Sequence, residues 1–239
     1  MRRAMLLVAM MAVTLVVASG VALAVTKIGT DGPDTLMGTN RADNLLGKGG
    51  NDALFGKGGS DNLLGGEGKD WVLGGNERRL QGGDKNLVGG PGNDGVLGGE
   101  GSDNMVGGSG NDLLYGHTGS DTLVGEEGKD NLLGWRGPDR LVGGEGTDTL
   151  WEYPFREGSK DIYSGGNGDD VLSINNERPS RDIASCGSGF DRILADRIDV
   201  VADDCERVFS DFDTFWDSLP PALQELDITI EEGLAPFPE

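Results

Sequence analysis

Aspartates recur at a fixed interval along much of this chain. In two blocks, residues 29–73 and 89–151, every group of nine residues has Asp at its sixth position and an apolar residue at its eighth. Carboxylate oxygens are the ligands that hard divalent cations prefer, so the chemistry that this pattern favours is cation coordination. The alternative is that Asp serves only as a turn former beside Gly. That alternative explains the composition but not the fixed phase between Asp and the apolar position.

The composition limits the classes of partner. The 239 residues include 41 acidic and 20 basic side chains, a single His and 43 Gly, and the net charge is −21 at pH 7. Such a surface repels nucleic-acid phosphate and anionic lipid and attracts cations. The low hydrophobic content, 36%, argues against one large conventional core.

The elements that must position these carboxylates follow from the same period. Each nine-residue unit has a Gly-rich half of six residues and an apolar half of three, in which the eighth position points opposite to the seventh and ninth. Two units then form one 18-residue coil with a short strand on each side. Leu36, Leu54 and Val72 are predicted to stack on one sheet and to face Leu45 and Leu63 of the other. Gly at the first, second and fourth positions permits a positive φ there.

The units GKGGSDNLL and GGEGSDNMV, like their neighbours, resemble the GGxGxDxUx nonapeptide of RTX proteins, also called hemolysin-type calcium-binding repeats. The resemblance implies an all-β fold, a right-handed parallel β-roll or β-solenoid over residues 25–173 (irregular at 74–88 and 152–164). It also implies Ca²⁺ between turns one coil apart, up to about eight ions. Magnesium suits such sites less well, because it keeps its waters. The implied metal ligands are Asp34, Asp43, Asp52, Asp61, Asp70, Asp94, Asp103, Asp112, Asp121, Asp130, Asp139, Asp148 and Asp170. Asp191 matches more weakly.

Several positions depart from the pattern. Residues 74–88 are 15 where two units need 18, and Arg78, Arg79 and Lys85 stand where carboxylates are expected. This predicts at least one lost calcium site, with either a kink in the roll or neutralisation by these cations. Arg41 occupies a fourth position, which predicts backbone strain if that turn needs a positive φ.

The ninth positions form an apolar row that includes Phe55, Tyr115 and Trp151. Such a row on an outer face could contact a protein partner, a wall polymer or a second roll. The simpler interpretation is β-propensity with partial shielding by neighbouring side chains.

The N-terminus predicts export. Residues 1–24 have a basic start, an apolar run and a final Ala22-Leu23-Ala24, which is the layout of a secretory signal peptide. The alternative is an uncleaved membrane anchor. Cys186 and Cys205 are an even pair, so a disulfide is expected, and closing that loop stabilises the fold by roughly 3 kcal/mol.

The Gly content falls in the C-terminal third. Residues 174–210, with the expected disulfide, are predicted to form a small cap over the end of the roll. Residues 211–239 form an acidic tail with a short amphipathic helix. Its apolar residues are expected to pack on the cap; they are Phe212, Phe215, Trp216 and Leu219.

The sequence favours a secreted, extracellular, non-enzymatic calcium-binding protein with a structural or adhesive role, without nucleic-acid partners and without membrane contact after signal cleavage. It contains no HExxH and no GxSxG, and its one histidine, His117, occupies a Gly position of a repeat and is expected to be a turn residue. The alternatives are an interaction module that binds a protein or wall polymer through the apolar outer faces, and a non-catalytic relative of calcium-dependent secreted hydrolases.

Overall fold

The chain forms two parallel β-sheets that face each other. The computed structural model describes residues 23–76, 86–151, 159–174, 180–210, 214–215 and 218–219. Successive strands alternate between the sheets, so that all odd-numbered strands form one ten-stranded sheet and all even-numbered strands form the other. This is the predicted all-β parallel solenoid.

The odd-numbered strands are β1 (Thr26–Ile28), β3 (Asn44–Gly49), β5 (Asn62–Glu67), β7 (Asn86–Pro91), β9 (Asn104–Ser109), β11 (Thr122–Gly128), β13 (Arg140–Gly146), β15 (Ile162–Asn167), β17 (Ile183–Ser188) and β19 (Val200–Val201). The even-numbered strands are β2 (Thr35–Met37), β4 (Ala53–Lys57), β6 (Trp71–Asn76), β8 (Gly95–Glu100), β10 (Leu113–Thr118), β12 (Asn131–Arg136), β14 (Thr149–Trp151), β16 (Val171–Ser173), β18 (Arg192–Leu194) and β20 (Arg207–Phe209).

The strands are longer than the apolar half of each unit. β3, for example, continues from its apolar residues through Gly47 to Gly49, the first three residues of the next unit. Most other strands behave in the same way. The turn proper is therefore shorter than the six residues expected, and it consists of the fourth to sixth positions.

A single file of side chains fills the space between the sheets. Leu36 aligns with Leu54, and Leu54 with Val72, on the even sheet; Leu45 aligns with Leu63 on the odd sheet. This is the predicted arrangement. The eighth-position residues that are no more than 2% exposed are Leu45, Leu54, Leu63, Val72, Leu87, Val96, Met105, Leu114, Leu123, Leu132, Leu141, Leu150, Tyr163, Leu172, Ala184 and Ile193.

The turns use glycine in two different ways. From the third unit onward, the described second and fourth positions have positive φ, even where the second is Lys57 (84°) or Trp135 (80°). The first position does not, contrary to the sequence-based expectation. Gly is needed there for space, because a Cβ on Gly116 would lie 2.5 Å from Asp121 Oδ2 and 2.9 Å from the Gly134 carbonyl oxygen. The strain expected at Arg41 is also wrong, since Arg41 is outside the left-handed region.

In the irregular stretch 74–88, the structure describes the end of β6 and the start of β7. β5 pairs with β7 and β6 pairs with β8, so both sheets pass this point in continuous register. The kink that was one of the two expectations stays a prediction, because pairing alone does not measure a bend of the roll. Arg78, Arg79 and Lys85, the cations of the other expectation, fall outside the described residues.

The C-terminal end is an extension of the same two sheets. β17 to β20, within the segment predicted as a cap, continue the odd and even sheets with no change of direction. The Cys186–Cys205 disulfide is formed, with a Cα–Cα distance of 5.1 Å. Phe215 and Leu219 are buried and pack with Val171, Leu194 and Phe209 on the even sheet. Phe212 and Trp216 of the predicted helix lie outside the described residues.

Candidate metal centre

The repeat aspartates form two columns, one at the turn before each sheet. The first column, the long ladder, consists of Asp34, Asp52, Asp70, Asp94, Asp112, Asp130, Asp148, Asp170 and Asp191. The second, the broken ladder, consists of Asp43 and Asp61 and then of Asp103, Asp121, Asp139, Asp161, Asp182 and Asp199. Every predicted ligand lies on one of the two columns.

The broken ladder is interrupted at the irregular stretch. Asn86 aligns with Asn62, so the residue that precedes it in sequence, Lys85, corresponds to Asp61 of the neighbouring coil. The long ladder is not interrupted, because the Asp70 backbone N–H donates to Asp94 Oδ1 at 2.7 Å. The sequence therefore indicated that an Asp is missing in this stretch, and the strand register shows that the missing Asp belongs to the broken ladder.

One oxygen of each carboxylate completes the backbone hydrogen bonding. The Asp112 N–H donates to Asp130 Oδ1 at 2.8 Å, and the Asn131 N–H donates to the Asp112 carbonyl oxygen at 2.9 Å. The side chain of each Asp thus replaces a backbone carbonyl at a point where the chain turns. The same bond recurs along both ladders at 2.7–3.1 Å.

The other oxygen is left without a donor over most of the long ladder. On this ladder, buried Oδ2 atoms without a hydrogen-bond partner belong to Asp52, Asp70, Asp94, Asp112, Asp130, Asp148, Asp170 and Asp191; on the broken ladder, Asp121 has such an atom. At Asp121, the Oδ2 atom and the Gly134 carbonyl oxygen of the next coil both lie within 3 Å of one point beside Gly116. Both oxygens therefore line the space beside Gly116, and the Oδ2 atom has no hydrogen-bond donor.

The electrostatics follow from this burial. Removal from water raises the pKa of Asp94, Asp121 and Asp148 to about 7, and the charge of neighbouring aspartates on the same ladder adds to the rise. At Asp61 and Asp112 the same causes raise the pKa to about 6. A charged carboxylate at these positions is therefore unfavourable unless a positive charge lies beside it.

The donor set fits a hard divalent cation. Buried polar atoms in folded proteins almost always have a partner, and an unpartnered carboxylate oxygen that faces a carbonyl oxygen is the arrangement that a cation satisfies. Calcium takes carboxylate and carbonyl oxygens in flexible geometry, which suits a site that is repeated with small variations. The residues that would hold it are an Asp of one coil and the first-position residue of the next.

Sequence reasoning missed part of the ladders. Asp161, Asp182 and Asp199 extend the broken ladder and were not among the predicted ligands, whereas Asp191, the weaker match, extends the long ladder with a fully buried carboxylate. Asp182-Ile183-Ala184 has the same Asp-x-apolar phase as the repeats, and this signal could have identified Asp182. Its glycines are missing, which is why the unit was not recognised.

A different cluster of potential ligands lies at the disulfide. Cys186, Cys205 and Asp204 come together there, but both sulfurs are in the disulfide. The Asp204 carboxylate accepts hydrogen bonds from the Cys186 and Gly187 N–H groups at 3.1 Å and from Ser185 Oγ at 2.7 Å. The disulfide and these hydrogen bonds account for the cluster without a metal ion.

Comparison with known proteins agrees with the geometry. The family model described as RTX calcium-binding nonapeptide repeat (4 copies) matches residues 28–63, 46–78, 81–114, 115–150 and 157–173. These matches cover more than half of the chain. A search of curated proteins finds no match.

Proposed function

Because the chain belongs to the RTX calcium-binding nonapeptide-repeat family, we propose that it is a secreted, non-enzymatic protein that folds on binding calcium. It acts outside the cell as a structural or adhesive module. The observation that carries the proposal is the column of buried Asp Oδ2 atoms without a hydrogen-bond partner, such as those of Asp112 and Asp130.

Folding on calcium binding follows from the energetics of these carboxylates. Burying a charged group without a partner is strongly unfavourable, and the ladders repeat that unfavourable contact in successive coils. A cation that binds the folded chain and not the unfolded one adds its binding free energy to stability. Extracellular calcium modules have dissociation constants on the order of 10⁻⁴ to 10⁻³ M. Such a chain stays unfolded in a low-calcium cytoplasm and folds after export.

Two observations support export. The signal-like segment 1–24 precedes the roll in sequence, and the Cys186–Cys205 disulfide is typical of oxidising compartments. Within the described part of the chain, no helix is long and apolar enough to span a bilayer.

A non-enzymatic role is supported by the position of the one histidine. His117 is a second-position residue with φ 81° on β10, and its ring packs against Trp135 with centroids 4.4 Å apart. Burial lowers the pKa of His117 below its usual value. The described side chains around it are the aromatic Tyr115 and Trp135 and the charged Glu100 and Arg136, and no Ser or Cys nucleophile is among them.

A second candidate function is that of an interaction module. Tyr115, His117 and Trp135 form an aromatic cluster on the outer face of the even sheet, with Tyr115 and His117 centroids 5.6 Å apart. Aromatic side chains at a partly exposed surface are common in binding interfaces. Most ninth-position side chains, however, are half-buried by their neighbours, and this agrees with the simpler interpretation that neighbouring side chains shield them from solvent.

The proposal is tested by counting bound ions. Equilibrium dialysis of residues 25–239 against calcium, with magnesium as a competitor, is expected to give several calcium ions per chain that magnesium does not displace. A chain that binds no calcium at millimolar concentration would refute the proposal. Binding of the calcium-loaded protein to a cell-wall extract, lost on replacing Trp135 with Ala, would support the second candidate.

A further inference from the structure

The turns of the first coil differ from the later repeat turns that the structure describes. Its two second-position residues are Thr30 and Thr39, and neither has a positive φ; the same holds for the fourth-position residues Gly32 and Arg41. In every later unit whose turn is described, the second position has positive φ. The residues concerned are Lys48, Lys57, Gly66, Gly75, Gly90, Gly99, Gly108, His117, Glu126, Trp135, Gly144, Gly166 and Gly187.

The different backbone changes the hydrogen bonding of the aspartate. The Thr30 N–H donates to Asp34 Oδ2 at 2.5 Å, and the Thr30 hydroxyl donates to the same oxygen at 2.9 Å. The Thr39 N–H and hydroxyl donate to Asp43 Oδ2 at 2.5 and 3.0 Å. Asp43 Oδ1 also accepts from the Val25 N–H, so both oxygens of this buried carboxylate have donors.

The contrast with the third unit is direct. Asp52 is buried like Asp43, but its Oδ2 atom has no donor, and the second-position residue of its unit is Lys48 with φ 88°. The left-handed conformation is strained for a lysine, which indicates that the geometry of the later turns is imposed and not a local preference. The first coil avoids that conformation and satisfies the carboxylate with two donors from one threonine.

We infer that Thr30 and Thr39 close the first coil in place of a cation, so that calcium is bound only from the third unit, beginning at Asp52. The inference rests on the proposed function and refines it. A cation at Asp34 or Asp43 would have to displace two hydrogen bonds at the oxygen that it needs. At Asp52, and at later carboxylates of the long ladder such as Asp112 and Asp130, the corresponding oxygen is buried and has no donor to lose.

The first coil lies at the N-terminal edge of the described roll, and this location gives a physical reason for threonine donors in place of a cation. Within the residues that the structure describes, no coil precedes that of Asp34, and the Asp34 carboxylate is partly exposed. A cation there would be open to solvent on one side and would be held weakly. Threonine hydroxyl and backbone donors end the ladder at its exposed edge without leaving an uncompensated buried charge.

Matched Asp→Asn variants test the inference. In residues 25–239, D34N together with D43N is expected to leave the number of bound calcium ions and the midpoint of the calcium titration unchanged. D112N together with D121N, at two buried carboxylates of later coils, is expected to lower that number. If D34N/D43N lowers the number of ions as D112N/D121N does, the inference is overturned. In that case the proposed function stands; only a wild-type chain that binds no calcium would refute both.

The reverse substitution provides an independent readout. T30G together with T39G removes the hydroxyl donors and restores the residue type that later turns tolerate at this position. We expect the variant to bind more calcium ions than the wild type by equilibrium dialysis. An unchanged number of ions, in a variant whose circular dichroism at saturating calcium matches that of the wild type, would contradict the role assigned to the threonines.

Discussion

After the first coil, the long-ladder aspartates perform two tasks with their two oxygens. Oδ1 accepts a backbone N–H from the preceding coil, as in the Asp94 to Asp112 pair at 2.8 Å, and so continues the sheet through a turn. Oδ2 carries the charge into a buried position beside a carbonyl oxygen. Asn or Ser could do the first task. Only a carboxylate brings the negative charge that makes the fold depend on a cation.

The raised pKa values predict that acid substitutes in part for metal. The pKa of Asp94 and Asp121 is about 7 in the folded chain and near 3.8 when unfolded, so between these values the folded state binds more protons. The free energy of unfolding of the metal-free chain therefore falls as pH rises through this window and is highest at its acidic end. In chelator, lowering the pH from about 8 to about 5 should increase the β signal in circular dichroism.

The control for the acid effect is the calcium-loaded chain. There the same acidification is expected to release calcium, measured with a calcium electrode, because protons compete for the carboxylates. A metal-free chain whose β signal falls between pH 8 and pH 5 would show that burial of charged carboxylates does not oppose its folding.

A second prediction concerns the strained second positions. Lys57 is exposed and has φ 84°, a conformation that costs a residue with a side chain about 1–2 kcal/mol. Lys57→Gly should therefore raise the free energy of unfolding by about 1 kcal/mol in chemical denaturation at saturating calcium. Lys69→Gly is the control, because Lys69 is exposed and outside the left-handed region. It should lower stability by about 0.5–1 kcal/mol. Equal effects of the two substitutions would disprove the assignment of strain.

At the scale of the element, each strand contributes one side chain to a narrow core. Leu132 on β12 aligns with Leu114 and Leu150 on the neighbouring strands and is fully buried, whereas Leu133 points outward and is half-buried. A solenoid holds together through contacts between adjacent coils, so a gap in this file weakens the interfaces on both sides of it.

This arrangement predicts unequal effects of two adjacent substitutions. Leu132→Ala should destabilise the calcium-loaded chain by about 2–5 kcal/mol, as for a buried leucine that leaves a cavity. Leu133→Ala should cost less than about 1.5 kcal/mol. The comparison is made by denaturant unfolding at saturating calcium. A larger loss for Leu133→Ala would show that the assignment of inner and outer faces is wrong.

The strands also show which features of the fold the sequence predicted and which it did not. The period of nine predicted the strands, the two sheets and the facing residues such as Leu54 and Leu63, because alternation along a strand is a local property. It did not predict that the strands extend into the glycines of the next unit, since this depends on pairing with neighbouring coils. Asp182 was missed for a similar reason: its unit lacks the glycines and is defined only by its place in the stack.

At the scale of the whole molecule, the two ends of the roll differ. At the N-terminal end, β1 and β2 are edge strands whose turns are closed by threonine side chains. At the C-terminal end, β19 and β20 are short, the disulfide ties Cys205 to β17, and Phe215 covers the outer face of the even sheet. The coils between the two ends hold carboxylates that lack donors, such as Asp94, Asp112 and Asp130, so we expect the dependence on calcium to be concentrated in the middle of the roll.

Far-UV circular dichroism of residues 25–239 during a calcium titration, at about pH 8 and with a magnesium control, tests the central claim most directly. We predict a cooperative gain of β signal that is specific to calcium and is reversed by chelator, because the buried carboxylates of the ladders need a cation before the coils can stack. A chain that is already folded in chelator, and whose spectrum calcium does not change, would contradict the account.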